Sequence, residues 1–174
     1  MERIWTTQLQ EHSGQRVKLA GWLHRQRQLR SHTFLLLRDG AGVTQVVLDD
    51  PALIQTLAGL HNESVLRVEG TVAAEAHAPG GYEIHNPAIT VVSPVSIPPP
   101  VDLYRPDLKA QASTILDLAA LTLRHPKRHA YARLSAAAVA GFRAALSTRC
   151  FVEIHTPKLV AAATEGGANV LVLS

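Results

Sequence analysis

From Gln15 to Leu23 apolar and polar positions alternate, with Val17, Leu19, Gly21 and Leu23 on one side and Lys18, Ala20 and Trp22 on the other. That is the period of a half-buried strand. Thr33–Arg38 predicts a second strand, and Asp39-Gly40-Ala41-Gly42 predicts the turn after it. Val43–Leu48 then pairs back as a hairpin. Asp50-Pro51 opens a short helical stretch through Leu60. Ser64–Val72 and Tyr82–Val92 predict two more strands, separated by His77-Ala78-Pro79-Gly80-Gly81.

Five strands with a small helix between the third and fourth match the strand count of a Greek-key OB-fold β-barrel. An SH3-like barrel fits the same pattern. The segment 94–106 contains Pro94, Pro98, Pro99, Pro100 and Pro106, which predicts a semi-rigid extended linker rather than sheet. Beyond it the period changes to that of a helix. Leu134, Ala138, Val139, Phe142, Ala145 and Leu146 share one stripe of a helix that begins near Arg133 and stops around Thr148-Arg149-Cys150. Phe151–His155 predicts a strand ended by Thr156-Pro157. The domains are therefore 1–93 (β-barrel), 94–106 (linker) and 107–174 (a mixed α and β part).

Composition narrows the class. Of 174 residues, 47% are hydrophobic and 18% charged, enough for a buried core and too apolar for wholesale disorder. No apolar run reaches the roughly 18–20 residues needed to span a bilayer, and no signal-peptide pattern follows Met1. A soluble, cytoplasmic protein without a membrane partner is expected. The single cysteine, Cys150, excludes an internal disulfide and a multi-cysteine zinc site, and is expected to pack. His125 and His129 stand four apart but flank Pro126-Lys127-Arg128, whose cations disfavour a metal. No metal is expected in this chain.

Charge matters locally. The net charge is only +3, yet six basic residues and no acid lie between Arg16 and Arg38. A basic stripe on a near-neutral domain suits phosphate contact, and suits a solvated strand face equally. The candidate chemistry in the barrel is Arg25, Arg27, Phe34, Gln45 and Glu83. Single-stranded nucleic acid is bound by aromatic faces that stack on bases and by cations along the backbone. Amide and carboxylate groups read base edges. Phe34 shares a strand face with Arg38, which sets a stacking ring beside a cation. Phe34 as core and the arginines as solvated surface explain the same residues.

Three runs in the first part, Gly21-Trp22-Leu23-His24-Arg25-Gln26-Arg27, Phe34-Leu35-Leu36-Leu37-Arg38-Asp39 and Gly42-Val43-Thr44-Gln45-Val46-Val47, resemble the anticodon-binding OB domain of class IIb aspartyl-tRNA synthetases. Leu121-Thr122-Leu123-Arg124-His125-Pro126 resembles the entry to their α+β catalytic domain. Gly141-Phe142-Arg143 and the run from Phe151 to Leu159 resemble class II motif 1, helix and strand. Ala163-Thr164-Glu165-Gly166-Gly167 resembles the mobile loop that follows, in its archaeal-type form.

The resemblance implies that Phe34 stacks on an anticodon base, Gln45 reads the central uridine and Glu83 the third base. Arg25 and Arg27 then belong to the anticodon-binding set, Arg27 holding the backbone. Glu165 would meet the ammonium of bound L-aspartate, and Pro157 would sit at a homodimer interface. His24 and Pro79 fall at positions where discriminating archaeal-type members carry a bulky aromatic and a lysine, which implies relaxed discrimination between the aspartate and asparagine tRNAs. The parent enzyme uses ATP and magnesium to activate aspartate before transfer to tRNA. Motifs 2 and 3, which build the ATP site, have no counterpart before Ser174, so the chain alone is expected to bind no cofactor and to be inactive. A stand-alone tRNA-binding module and the asparaginyl-tRNA synthetase branch are the alternatives.

Overall fold

The computed structural model describes residues 2–29 and 33–156. Five strands, β1 (Arg16–Gln28), β2 (Thr33–Arg38), β3 (Val43–Leu48), β4 (Val65–Ala74) and β5 (Tyr82–Ser93), close into a barrel in the order β1-β2-β3-β5-β4. Neighbours are antiparallel except β3 and β5, which run parallel and pair Gln45 with Glu83 and Val46 with Ile84. This parallel closure, with helix α1 (Pro51–Leu57) between β3 and β4, is the OB-fold and rules out the SH3-like alternative.

The alternation read in β1 is obeyed. Val17, Leu19 and Leu23 point inward and join Leu35, Leu37, Val46, Leu66 and Ile84 in one core. Gly21 is the small position in that inward row, because a Cβ there would lie 2.2 Å from the carbonyl oxygen of Arg38. Helix α1 starts where Asp50 accepts from the Ala52 N–H at 2.9 Å, with Pro51 in its first turn. It ends at Leu57, short of Leu60, and Leu57 is buried in the core.

A 3₁₀ segment (Thr6–His12) is tied to the β2–β3 turn by Asp39. The carboxylate of this buried residue accepts from the N–H and hydroxyl of Thr6, both at 2.8 Å, and from the Ala41 and Gly42 N–H groups at 2.8 and 2.9 Å.

By contacts, the chain up to His125 is one compact unit and the chain from Pro126 is another. The proline-rich segment belongs to the first, where Val101 and Leu103 are buried, followed by helices α2 (Ala112–Asp117) and α3 (Ala119–Thr122). Composition divides the chain at the prolines, whereas contacts divide it at the His125–Pro126 step.

The second unit departs from the sequence expectation in three ways. Its helix, α4, runs from Pro126 to Ser147 and so begins seven residues before Arg133. Proline is favoured at the first helical position, where its missing N–H has no partner to lose. The expected strand over 151–155 does not form: residues 151–156 lack sheet pairing, because the described part of this unit offers no strand to bond with. Cys150 is exposed rather than packed, with φ of 62°. It takes the left-handed position that ends the helix, flanked by bonds from Cys150 N to Ser147 O (3.1 Å) and from Phe151 N to Leu146 O (3.2 Å). The apolar stripe of α4 is present, with Leu134 and Phe142 exposed by about two-thirds. Pro157, Glu165 and the loop around Glu165 lie outside the described residues.

Candidate nucleic-acid interface

A single irregularity in β1 decides which residues face outward together. The β1–β2 ladder pairs Leu23 with Leu37 and then Arg25 with Leu36, skipping His24. Without this bulge, strict alternation would carry Arg25 and Arg27 to the inward side with Leu19 and Leu23. With it, they return to the outer face, the re-aiming that bulges commonly perform.

Cross-strand neighbours extend that face. Arg27 pairs with Phe34, Arg25 with Leu36, Leu36 with Gln45, and Gln45 with Glu83. Directly opposed residues project to the same side of a sheet. Arg25, Arg27, Phe34, Gln45 and Glu83, drawn from four strands, therefore lie on one continuous outer patch. Both arginines are exposed, Phe34 and Gln45 are half-buried and Glu83 is buried.

Glu83 is held on both sides. Gln45 Nε2 donates to Glu83 Oε2 at 2.8 Å, and His85 Nε2 lies 2.7 Å from Glu83 Oε1. Arg25 stacks on Tyr104, its guanidinium carbon 4.8 Å from the ring centroid.

The basic stripe is narrower than its sequence suggests. Arg38 is not a cation beside Phe34; it is buried, donating from Nη2 to Glu63 Oε2 at 2.7 Å. Lys18 lies 3.8 Å from Glu69, and Arg16 donates to the carbonyls of Glu69 and Asn86. Alternation gives a side of the sheet and cannot supply the groups distant in sequence, a carboxylate or a backbone carbonyl, that hold these three cations.

His24 is buried too. Its Nδ1 lies 3.0 Å from Arg38 Nη1, and because a guanidinium only donates, Nδ1 must accept and the ring is neutral. Burial first, and then the charge of Arg38, lowers its pKa from 6.5 to about 4. Pro79 starts a 3₁₀ turn (Pro79–Gly81) whose Gly80 and Gly81 have φ of 74° and 78°, leading directly into β5 and Glu83. It lines a groove of about 300 Å³ with Thr6, Leu9, Gly42 and Tyr82. His24 follows the Trp22–Val65 end of the β1–β4 ladder, whereas Pro79 lies beyond the Ala74–Tyr82 end of the β4–β5 ladder.

Sequence reasoning missed His85, Tyr104 and Glu63. His85 was within reach, since a residue two after Glu83 on a strand shares its face. Tyr104 and Glu63 lie in irregular segments, where no periodicity points to a partner.

Two family models match the chain. Residues 17–92 match the OB-fold nucleic acid binding domain, and residues 111–174 match the class II tRNA synthetases (D, K and N). The aspartate–tRNA(Asp/Asn) ligase of Thermus thermophilus is 41% identical over 96% of this chain, and that of Deinococcus radiodurans is 40% identical over 97%. The chain belongs to the aspartyl-tRNA synthetase family. It spans 38% of the length of each of those two ligases. Among solved structures, the asparaginyl-tRNA synthetase of Pyrococcus horikoshii superposes with a TM-score of 0.82 at 31% identity, over 96% of this chain and 39% of that one. The higher identity to the aspartate ligases gives the asparaginyl branch no advantage.

Among the described residues no three His, Cys, Asp or Glu side chains gather where they could hold a metal ion. No described helix is long and apolar enough to cross a membrane.

Proposed function

We propose that the barrel binds the anticodon loop of a tRNA as part of an aspartate–tRNA ligase, whose whole activity is to activate L-aspartate with ATP and magnesium and transfer it to tRNA in the cytoplasm. The supporting observation is the outer patch on which Phe34, Gln45, Glu83 and Arg27 share one face across four strands. In it Phe34 stacks on an unpaired base, Gln45 reads the central uridine, Glu83 reads the third base, and Arg25 and Arg27 hold phosphates. The exposed stripe of α4, with Pro157 beyond it, forms the homodimer contact, and Glu165 holds the aspartate ammonium.

The proposed ligase serves both aspartate and asparagine tRNAs, whose anticodons differ at the third base. Pro79 leads into Glu83 through two glycines and has neither an N–H nor a cationic arm with which to favour one base. His24 is a neutral ring beside Arg38 where discriminating members carry a larger aromatic. The names of the two relatives, both aspartate–tRNA(Asp/Asn) ligases, agree with this reading.

The test is the affinity of the chain for two anticodon stem-loops identical except for C or U at the third anticodon position, with a scrambled loop as control. Tight binding of both, within about tenfold of one another (roughly 1.4 kcal/mol), is expected. A preference for C beyond that defeats the relaxed-recognition part, and equal binding of the scrambled loop defeats anticodon recognition altogether.

A further inference from the structure

The carboxylate assigned to the third base has a neighbour to which no role has been given. His85 is on the same strand as Glu83, two residues on, and its side chain is about 39% exposed while that of Glu83 is only 10% exposed. The contact of 2.7 Å joins His85 Nε2 to Glu83 Oε1, and the other oxygen, Oε2, takes the Gln45 amide at 2.8 Å. An ionised carboxylate only accepts, so Nε2 of His85 carries the hydrogen. Each oxygen of Glu83 thus has one protein donor, and each keeps further lone-pair capacity for a base.

The orientation of a carboxylate matters more than its presence. Free to turn about its last torsion, which is broad and roughly two-fold, it accepts as readily from the amine of adenine or the edge of guanine as from the amine of cytosine. Clamped from both sides, it offers its remaining lone pairs in one direction. That direction suits a donor on the edge of a pyrimidine, the amine of cytosine or the ring N–H of uracil, and rejects a larger ring that would place its donors elsewhere.

We propose that His85 is a positioning residue for third-base recognition: it fixes Glu83 so that a pyrimidine is accepted and a purine refused. This rests on the anticodon-binding reading above, and concerns base selection rather than binding as such. Gln45, which also touches Glu83, would hold the other oxygen but is itself assigned to the central base.

The experiment measures dissociation constants of the full chain for three anticodon stem-loops carrying C, A or G at the third anticodon position. The unaltered chain, His85→Ala and His85→Gln are compared. For the unaltered chain the C loop binds tightest. His85→Ala is expected to reduce its preference for C over A and G by about tenfold, the scale of one hydrogen bond to a charged group. His85→Gln keeps an N–H donor and is expected to restore most of the preference. If His85→Ala weakens all three loops equally, or leaves the preference intact, the positioning role is overturned while anticodon binding stands. If the unaltered chain shows no preference among the three loops, the assignment of Glu83 to the third base fails first, and the role of His85 with it.

Discussion

Gln45 and Glu83 face each other across the only parallel pairing among the described strands, and the amide of one donates to the carboxylate of the other at 2.8 Å. Two residues assigned to neighbouring anticodon bases are therefore one hydrogen-bonded unit. Their contributions to binding should not add. In a double-mutant cycle of Gln45→Ala and Glu83→Ala, read by affinity for an anticodon stem-loop, a coupling energy of about 0.5–3 kcal/mol is expected, the range for side chains in direct contact. Additivity within error would mean that the two act on RNA independently.

The neutral, buried His24 gives the fold a defined acid sensitivity. Its pKa in the folded chain is lowered to about 4 from 6.5. Between these values the unfolded chain takes up a proton that the folded chain refuses, so stability falls as the pH drops from about 6.5 to about 4 and this contribution levels off below. The full effect is on the order of 3 kcal/mol. His24→Gln keeps an acceptor for Arg38 but does not titrate. Denaturant unfolding across this range should show a shallower loss in the variant, whereas parallel curves would mean that His24 protonates freely in the fold.

Glu63 joins the barrel to the segment that follows it. Its Oε2 accepts from Arg38 at 2.7 Å and from Arg124 at 3.3 Å, and its backbone φ is 71°. The ring of Trp22 has the guanidinium carbons of Arg38 and Arg124 at 5.5 and 5.0 Å from its centroid. Glu63→Ala leaves Arg38 buried without its counter-ion, and breaking a buried pair in this way costs about 3–5 kcal/mol. The same loss measured by denaturant unfolding in Arg124→Ala is expected to be under about 1 kcal/mol, because Arg124 is partly solvated. Equal losses in the two variants would show that the half-exposed arginine, not the buried pair, holds the junction.

The barrel was the legible part of the sequence. Alternation in the first strand and the Asp39-Gly40-Ala41-Gly42 turn stated the inward and outward sides correctly, because a strand with one buried face leaves a period of two. What alternation could not give was the bulge at His24, since one extra residue changes parity without leaving a compositional mark. Nor could it give the ion pair of Arg38 with Glu63, which are distant in sequence and meet only in the closed barrel. In the second unit the apolar stripe located the helix but not its start: the residues from Pro126 to Arg133 are mostly basic and polar, so a search for apolar spacing passed over them. The strand expected over Phe151–His155 was read from composition alone, and a strand exists only where a neighbour completes its hydrogen bonds.

The stacking role of Phe34 is the shortest route to the central claim. The affinity of the chain for an anticodon stem-loop with a uridine at the centre of the anticodon should be measured before and after Phe34→Ala, beside a loop of scrambled sequence. A loss of about 1–3 kcal/mol, the scale of one base stacked on one aromatic ring, is expected for the anticodon loop, with little change for the scrambled one. Unchanged affinity for the anticodon loop would contradict anticodon recognition by this face of the barrel.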